Sequence, residues 1–221
     1  MLIELVNVSK FYGTRLIVKD VNLTIERGTV TLLAGPNGAG KSTILKIMAG
    51  LSRPSSGDVK LSVPDEKLGY LGHQTFIYPD LTAVENLAFW SKLHGLGHSE
   101  DELVAALQRM ELKRFAFERA GGFSRGMAQR LNLARLLLLQ PELILLDEPA
   151  TGLDVHSVGI LHREIAAARE QGAGLVWISH SVAEDVKRAD KVIAIENRVA
   201  VYNGPASDYL TFLQKQSEVP C

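Results

Sequence analysis

The chain has 221 residues, with 24 Lys and Arg against 25 Asp and Glu, a net charge of -1. Apolar residues make up 46% and charged residues 22%, which excludes a disordered chain. There is no basic surplus to neutralise a phosphate backbone, so no nucleic-acid partner is expected. The one cysteine, Cys221, allows neither an internal disulfide nor a thiolate metal cluster. The start, MLIELVNVSK, lacks the basic and long apolar regions of a secretory signal. The longest apolar stretches, 136–139 and 143–146, fall far short of the roughly 18 residues a membrane span needs.

In chain order, the first 30 residues read as strands, with Val21, Leu23 and Ile25 alternating with polar neighbours before a turn at Arg27-Gly28. Thr29–Ala34 is a buried-strand candidate, Ser42–Met48 a helix, and Gly57–Ser62 and Lys67–Leu71 two further strands. From Leu81 the period changes. Thr82 with Glu85, and Ser99 with Glu102, fit capping boxes. The stretch 82–140 is therefore expected to be mostly helical, broken at Gly95–Gly97 and Gly121–Gly122. Strands at 143–147, 174–179 and 191–196 then alternate with helices at about 156–170 and 182–188, which indicates a parallel sheet covered by helices. The expected fold is an α/β P-loop core with an N-terminal antiparallel β-subdomain and a helical subdomain inserted at about 75–140. Residues 1–221 are expected to form one domain.

Residues 35–43 read Gly35-Pro36-Asn37-Gly38-Ala39-Gly40-Lys41-Ser42-Thr43, the P-loop pattern after an apolar strand and before a helix. A triphosphate needs several backbone N–H donors converging on it, and a glycine-rich turn lets the backbone approach closely. The helix N-terminus adds partial positive charge. Lys41 supplies a full charge to the outer phosphates, and the Ser42 hydroxyl can ligate magnesium. ATP and Mg²⁺ are the implied ligands.

Downstream, LILLDEP ends a strand with Asp147 and Glu148. A parallel strand delivers its last residues to the carboxyl edge of the sheet, beside the P-loop. There Asp147 can hold magnesium and Glu148 can orient or deprotonate an attacking water. His180, at the end of GLVWIS, reaches the same edge and is a candidate contact to the terminal phosphate. His94 and His98 flank the helix-breaking Gly-Leu-Gly and are expected to be loop residues rather than a metal pair.

These motifs, together with FSRGMAQRLNLAR at 123–135, resemble the ATP-binding cassette domain of ABC transporters over essentially the whole chain. The resemblance implies an ATP hydrolase coupled to transport, with two copies sandwiching two ATP molecules and separate membrane subunits doing the transport. It places the chain on the cytoplasmic face of the inner membrane. It assigns Ser124 and Gly126 to the signature that closes on the partner copy's ATP, and Tyr12 to adenine stacking. Gln74 would touch magnesium and sense the membrane partner, Asp154 would lie in the loop crossing the dimer interface, and His180 would be the switch histidine.

The signature departs from the usual LSGGQ, with Arg125 replacing the first glycine and Met127 the glutamine. Arg125 therefore needs a backbone conformation open to a side chain. The short separation of Lys41 from Gln74 implies a trimmed β-subdomain. YLGHQ at 70–74 and LTAVENLAFWSKLHG at 81–95 resemble the motor subunit of the cytochrome c maturation haem exporter. The alternative is the motor of a general exporter for a drug, lipid or polysaccharide. A non-transport or regulatory cassette protein is a further alternative. Phe76, Ile77 and Tyr78 form an apolar run outside any period, expected to be an exposed partner surface, with a buried plug as the competing reading.

Overall fold

The computed structural model describes residues 1–72, 74–179 and 181–217. His73 and His180 lie outside them, and with His180 the expected contact to the terminal phosphate.

β1 (Ile3–Tyr12) pairs antiparallel with both β2 (Arg15–Ile25) and β4 (Ser56–Leu61), giving a three-stranded sheet of order β2-β1-β4. The alternation behind β2 is real: Val21, Leu23 and Ile25 are buried while Asn22 is exposed. A second sheet has six strands in the order β5-β6-β7-β3-β8-β9. In it β3 (Val30–Ala34), β5 (Leu68–Leu71), β6 (Leu143–Asp147), β7 (Gly174–Ile178) and β8 (Lys191–Glu196) run parallel. Residues of β3, β6 and β7 are all buried, as strands covered on both faces should be.

β9 (Val199–Pro205) adds antiparallel to β8 at one edge, followed by α7 (Ala206–Ser217), and neither was expected. The turn into β9 is made by Asn197 and Arg198, both with positive φ. That is the geometry a tight hairpin needs, but Arg is not the glycine that normally announces it.

α1 (Lys41–Met48) packs in one core cluster with the antiparallel sheet and one face of the larger sheet, including Val18, Ile44, Leu45, Leu145 and Ile178. The other face meets α5 (Val155–Glu170) and the helices between β5 and β6: α2 (Ala83–Leu93), α3 (Glu100–Arg109) and α4 (Arg125–Leu137). Both capping boxes form. The Thr82 and Ser99 amides each donate to the glutamate three residues on at 2.7 Å, and those glutamate amides donate back to the hydroxyls. These bonds hold the Glu85 and Glu102 carboxyls below their ordinary range. The expected helix at 182–188 is only a four-residue α6 (Val182–Asp185) continued as a 3-10 turn.

Two register facts place the site. Ile178 pairs with Leu33 on one side and with Asp147 on the other. The carboxyl ends of β3, β6 and β7 therefore lie side by side, and Gly35, Glu148 and Ser179 follow them on one edge of the sheet.

Candidate functional site

The 35–43 loop closes through left-handed backbone at Gly35 (φ 135°), Gly38 (φ 79°) and Gly40 (φ 103°). Gly40 is also the N-cap of α1, and no side chain caps that helix. The positive end of the helix therefore faces the loop rather than a carboxylate of its own. A side chain at 35 would put its Cβ 2.1 Å from the Ile195 carbonyl oxygen. Gly35→Ala should therefore cost roughly 3–5 kcal/mol, from a strained backbone and a backbone clash that no rotamer relieves. The urea midpoint of the purified variant measures this, and an unchanged midpoint would refute it.

Lys41 is buried, and its ammonium donates to the carbonyls of Gly35 at 2.8 Å and Pro36 at 2.9 Å. Burial holds its pKa below the ordinary lysine value, opposed by the nearby Glu148 and Asp147 carboxylates. Among the described residues the hydrogen bonds seen from this cation go to main-chain carbonyls, weak acceptors that a phosphate can replace. The Ser42 hydroxyl donates to Asp147 Oδ1 at 3.0 Å, joining α1 to the end of β6. Asp147 is 1% exposed. Burial and the Asp147 charge push the Tyr70 phenol up to about 12. Ser42 and Asp147 are hard oxygen donors, the set that suits magnesium shared with substrate phosphates. Among the described residues no cluster of three or more His, Cys, Asp or Glu exists to hold a metal by protein ligands alone. Gln74 stands exposed after β5, with no hydrogen bond to Ser42 or Asp147 seen among the described residues.

Glu148 leaves the strand at once. Its φ is 54°, its amide donates to the Ile178 carbonyl at 3.1 Å, and its own carbonyl accepts from the Thr151 amide at 3.1 Å. A non-glycine residue held in this region is strained, and such strain gathers at functional sites. Nothing in LLDEP signals it. The left-handed step takes the half-buried Glu148 out of the strand that fixes Asp147, so adjacent carboxylates have separate environments.

Ser124 is the N-cap of α4, its Oγ accepting from the Met127 amide at 3.2 Å. Arg125 is the first residue of that helix, so its backbone suits a side chain, as its place in the signature requires. Asp154 caps α5, accepting from the Ser157 amide at 2.7 Å, and that bond holds its carboxyl below the ordinary range. Gly126 faces this cap: a Cβ there would lie 3.0 Å from Ser157 Oγ and 3.5 Å from Asp154 Oδ2. Among the described residues no hydrogen bond or ion pair joins Ser124 or Gly126 to residues 35–43. Tyr12 is half exposed at the end of β1, with the Lys10 ammonium 5.0 Å from its ring centre. Its hairpin partner β2 lies against the loop, since a side chain at Gly40 would meet Val18 Cγ1 at 2.4 Å.

A second feature lies along α2. Phe76 (54%), Tyr78 (45%), Phe89 (40%) and Leu93 (61%) are all exposed. Tyr78 meets Phe89 edge-on at 4.8 Å, while Ile77 turns toward the core. The run at 76–78 is therefore a surface, not a plug. Two groups invisible to sequence reasoning support it. Buried Asn86 accepts from the Tyr78 amide at 2.8 Å and donates to the Tyr78 carbonyl at 3.0 Å. The buried Arg135 guanidinium lies 4.1 Å from the Trp90 ring centre and 5.7 Å from that of Phe76. Burial pulls its pKa down to about 10.

Residues 18–151, from β2 to just past Glu148, match the ABC transporter family. The chain belongs to the ABC transporter family. It is an ATP-binding subunit of that family, an ATPase whose hydrolysis is coupled to transport. The ABC transporter ATP-binding protein NatA of Bacillus subtilis is 36% identical over 199 residues, covering 85% of this chain and 81% of NatA. The cytochrome c biogenesis ATP-binding export protein CcmA of Gluconobacter oxydans is 38% identical over 179 residues, 81% of each chain. A solved dimer of the ATP-binding cassette MJ0796 in a post-hydrolysis state, bound to ADP and Pi, superposes with a TM-score of 0.81 at 27% identity, covering 93% of this chain and 99% of that one. Of these names only that of CcmA specifies export and cytochrome c biogenesis, and NatA matches at a similar identity, so that likeness is one among several.

Proposed function

We propose that this chain is the nucleotide-driven motor of an ABC exporter whose membrane-spanning parts are separate chains. Its 221 residues would act as one ATPase domain with the helices at about 75–140 as an insertion. The observation that carries the reading is the cluster at one sheet edge: Lys41 inside the loop, Ser42 bonded to Asp147, and Glu148 turned out beside them. In this reading residues 35–43 hold the ATP phosphates, and Tyr12 stacks on adenine. Ser42 and Asp147, with Gln74, would hold Mg²⁺, which when bound would supply positive charge to the phosphates. Glu148 accepts the proton of the attacking water, and His180 contacts the terminal phosphate.

Two copies would close on two ATP molecules, each between the Lys41 of one copy and the Ser124 and Gly126 of the other. Asp154 would lie at the interface. The terminal phosphate then bridges the copies, and its loss on hydrolysis removes the contact that favours the closed state. Among the described residues no helix is long and apolar enough to cross a membrane. The exposed Phe76–Tyr78–Phe89 ledge supports docking onto membrane subunits at the cytoplasmic face of the inner membrane, because clustered aromatic anchors carry interface energy. Among cargo classes the haem exporter of cytochrome c biogenesis is the reading favoured by the 70–74 and 81–95 segments. A drug, lipid or polysaccharide exporter is the alternative.

The test is the variant Phe76→Ser/Tyr78→Ser. It should leave the membrane fraction while keeping its fold and ATP affinity. Retention on membranes would refute the docking surface. The integral membrane proteins that co-purify with the unaltered chain name the cargo class, and absence of any haem-handling protein would defeat the haem reading.

A further inference from the structure

The first two turns of α4 hold the loop that follows Glu148 at both of its ends. At the near end, Gln129 Nε2 donates to the Pro149 carbonyl at 3.3 Å. At the far end, Gly152 has a φ of 73°, and the guanidinium of Arg125 fills the place where a side chain at 152 would project. A Cβ there would lie 2.6 Å from Arg125 Cζ and Nη1, and 2.9 Å from Nε. Residues 125 and 129 are one helical turn apart and so share a face. Arg125, Gln129, Glu148 and Thr151 also line one cavity of about 300 Å³.

From this we propose that Arg125 is a positioning residue for ATP hydrolysis. Its planar guanidinium, laid on the glycine backbone at 152, fixes the 149–152 turn and through it the direction in which Glu148 projects. The replaced glycine of the signature is thus not a neutral substitution. In this chain the signature helix grips the loop after the candidate base within the same copy. Gly152 gives Arg125 the space, and Gln129 holds the other end. The contact suits a flat, delocalised cation and not a lysine ammonium, which is compact and strongly hydrated. The proposal rests on Glu148 acting as the base.

The test compares steady-state ATPase kinetics of the full chain with Arg125→Ala, Arg125→Lys, Gly152→Ala and the Arg125→Ala/Gly152→Ala pair. Arg125→Ala should lower kcat about 5-fold, with KM for ATP within twofold and the melting temperature unchanged, because the residue lies outside the 35–43 loop that would hold the nucleotide in the same copy. Arg125→Lys should recover less than half of that loss. Gly152→Ala should lower kcat too, by displacing the guanidinium and straining the turn. The pair should lose less than the product of the two single losses, since both remove one contact. Unchanged kcat in Arg125→Ala, a KM that rises as kcat falls, or fully multiplicative losses in the pair would each overturn the proposal. If Arg125→Ala or Gly152→Ala melts early, Arg125→Lys decides: full activity would overturn it. Glu148→Gln separates the two readings, since normal turnover there removes the base and leaves the Arg125 kinetics to report only on the loop.

Discussion

Replacing Glu148 with glutamine is expected to cut ATP turnover by about 10²–10⁴-fold, the contribution a positioned general base makes. The amide keeps the length and shape of the carboxylate, so the fold has no reason to change. The main-chain bonds that hold residue 148, from its amide to Ile178 and from Thr151 to its carbonyl, do not involve the side chain. The left-handed φ of 54° is as open to Gln as to Glu. Lys41, Ser42 and Asp147 remain in place, so ATP still binds. What disappears is the negative charge near Lys41 and, with it, the ability to take a proton from water. Because hydrolysis would remove the phosphate bridging two copies, the variant should also accumulate as a dimer when ATP is present and return to its starting state when ATP is removed. Steady-state phosphate release and size-exclusion chromatography with and without ATP measure the two effects. Turnover within about threefold of the unaltered chain would show that another group takes the proton.

The parts of this site that could be read in the sequence are those where chemistry demands a residue type at a fixed spacing. The 35–43 loop is such a case, because close backbone approach to phosphates requires glycine at set positions, and three of them adopt positive φ. The capping boxes at Thr82 and Ser99 were equally legible, being reciprocal bonds between residues three apart. The alternation of strands and helices after residue 143 led to the parallel sheet, and the order of its strands brought Asp147 to Ser42. What stayed hidden depends on tertiary contact. β9 follows a hairpin turn built from Asn197 and Arg198, where local propensity gives little sign of positive φ. The left-handed Glu148 is imposed by its bond to Ile178 on the neighbouring strand. Nothing in the sequence around Asn86 marks it out, and only the fold shows it gripping the Tyr78 backbone. Arg125 read as a departure from a pattern, and its partner, Gly152, lies far along the chain on the loop after β6.

Ser124→Ala should lower ATPase activity by about 10²-fold or more, the usual cost of removing one donor aimed at a developing charge, while the affinity of an isolated copy for ATP stays within twofold. The separation of these effects follows from the geometry. Ser124 caps α4, and among the described residues it makes no hydrogen bond to the 35–43 loop, so a single copy should bind nucleotide without it. In the proposed dimer the same hydroxyl faces the terminal phosphate held by the other copy, where hydrolysis needs it. The substitution also removes the cap bond to the Met127 amide, which should cost about 1 kcal/mol of stability. Ser124→Thr is the control for that term, since threonine can still cap while its methyl group crowds the phosphate. Stability near that of the unaltered chain with activity still depressed in Ser124→Thr would place the loss at the interface rather than in the helix. Gly126→Val is the less clean variant, because any side chain there presses on Ser157 at the start of α5. Nucleotide affinity measured at concentrations too low for pairing, beside turnover at high concentration, distinguishes the outcomes. A large fall in the affinity of the single copy would mean that Ser124 serves its own subunit's site, and the arrangement of two copies around shared ATP would have to be abandoned.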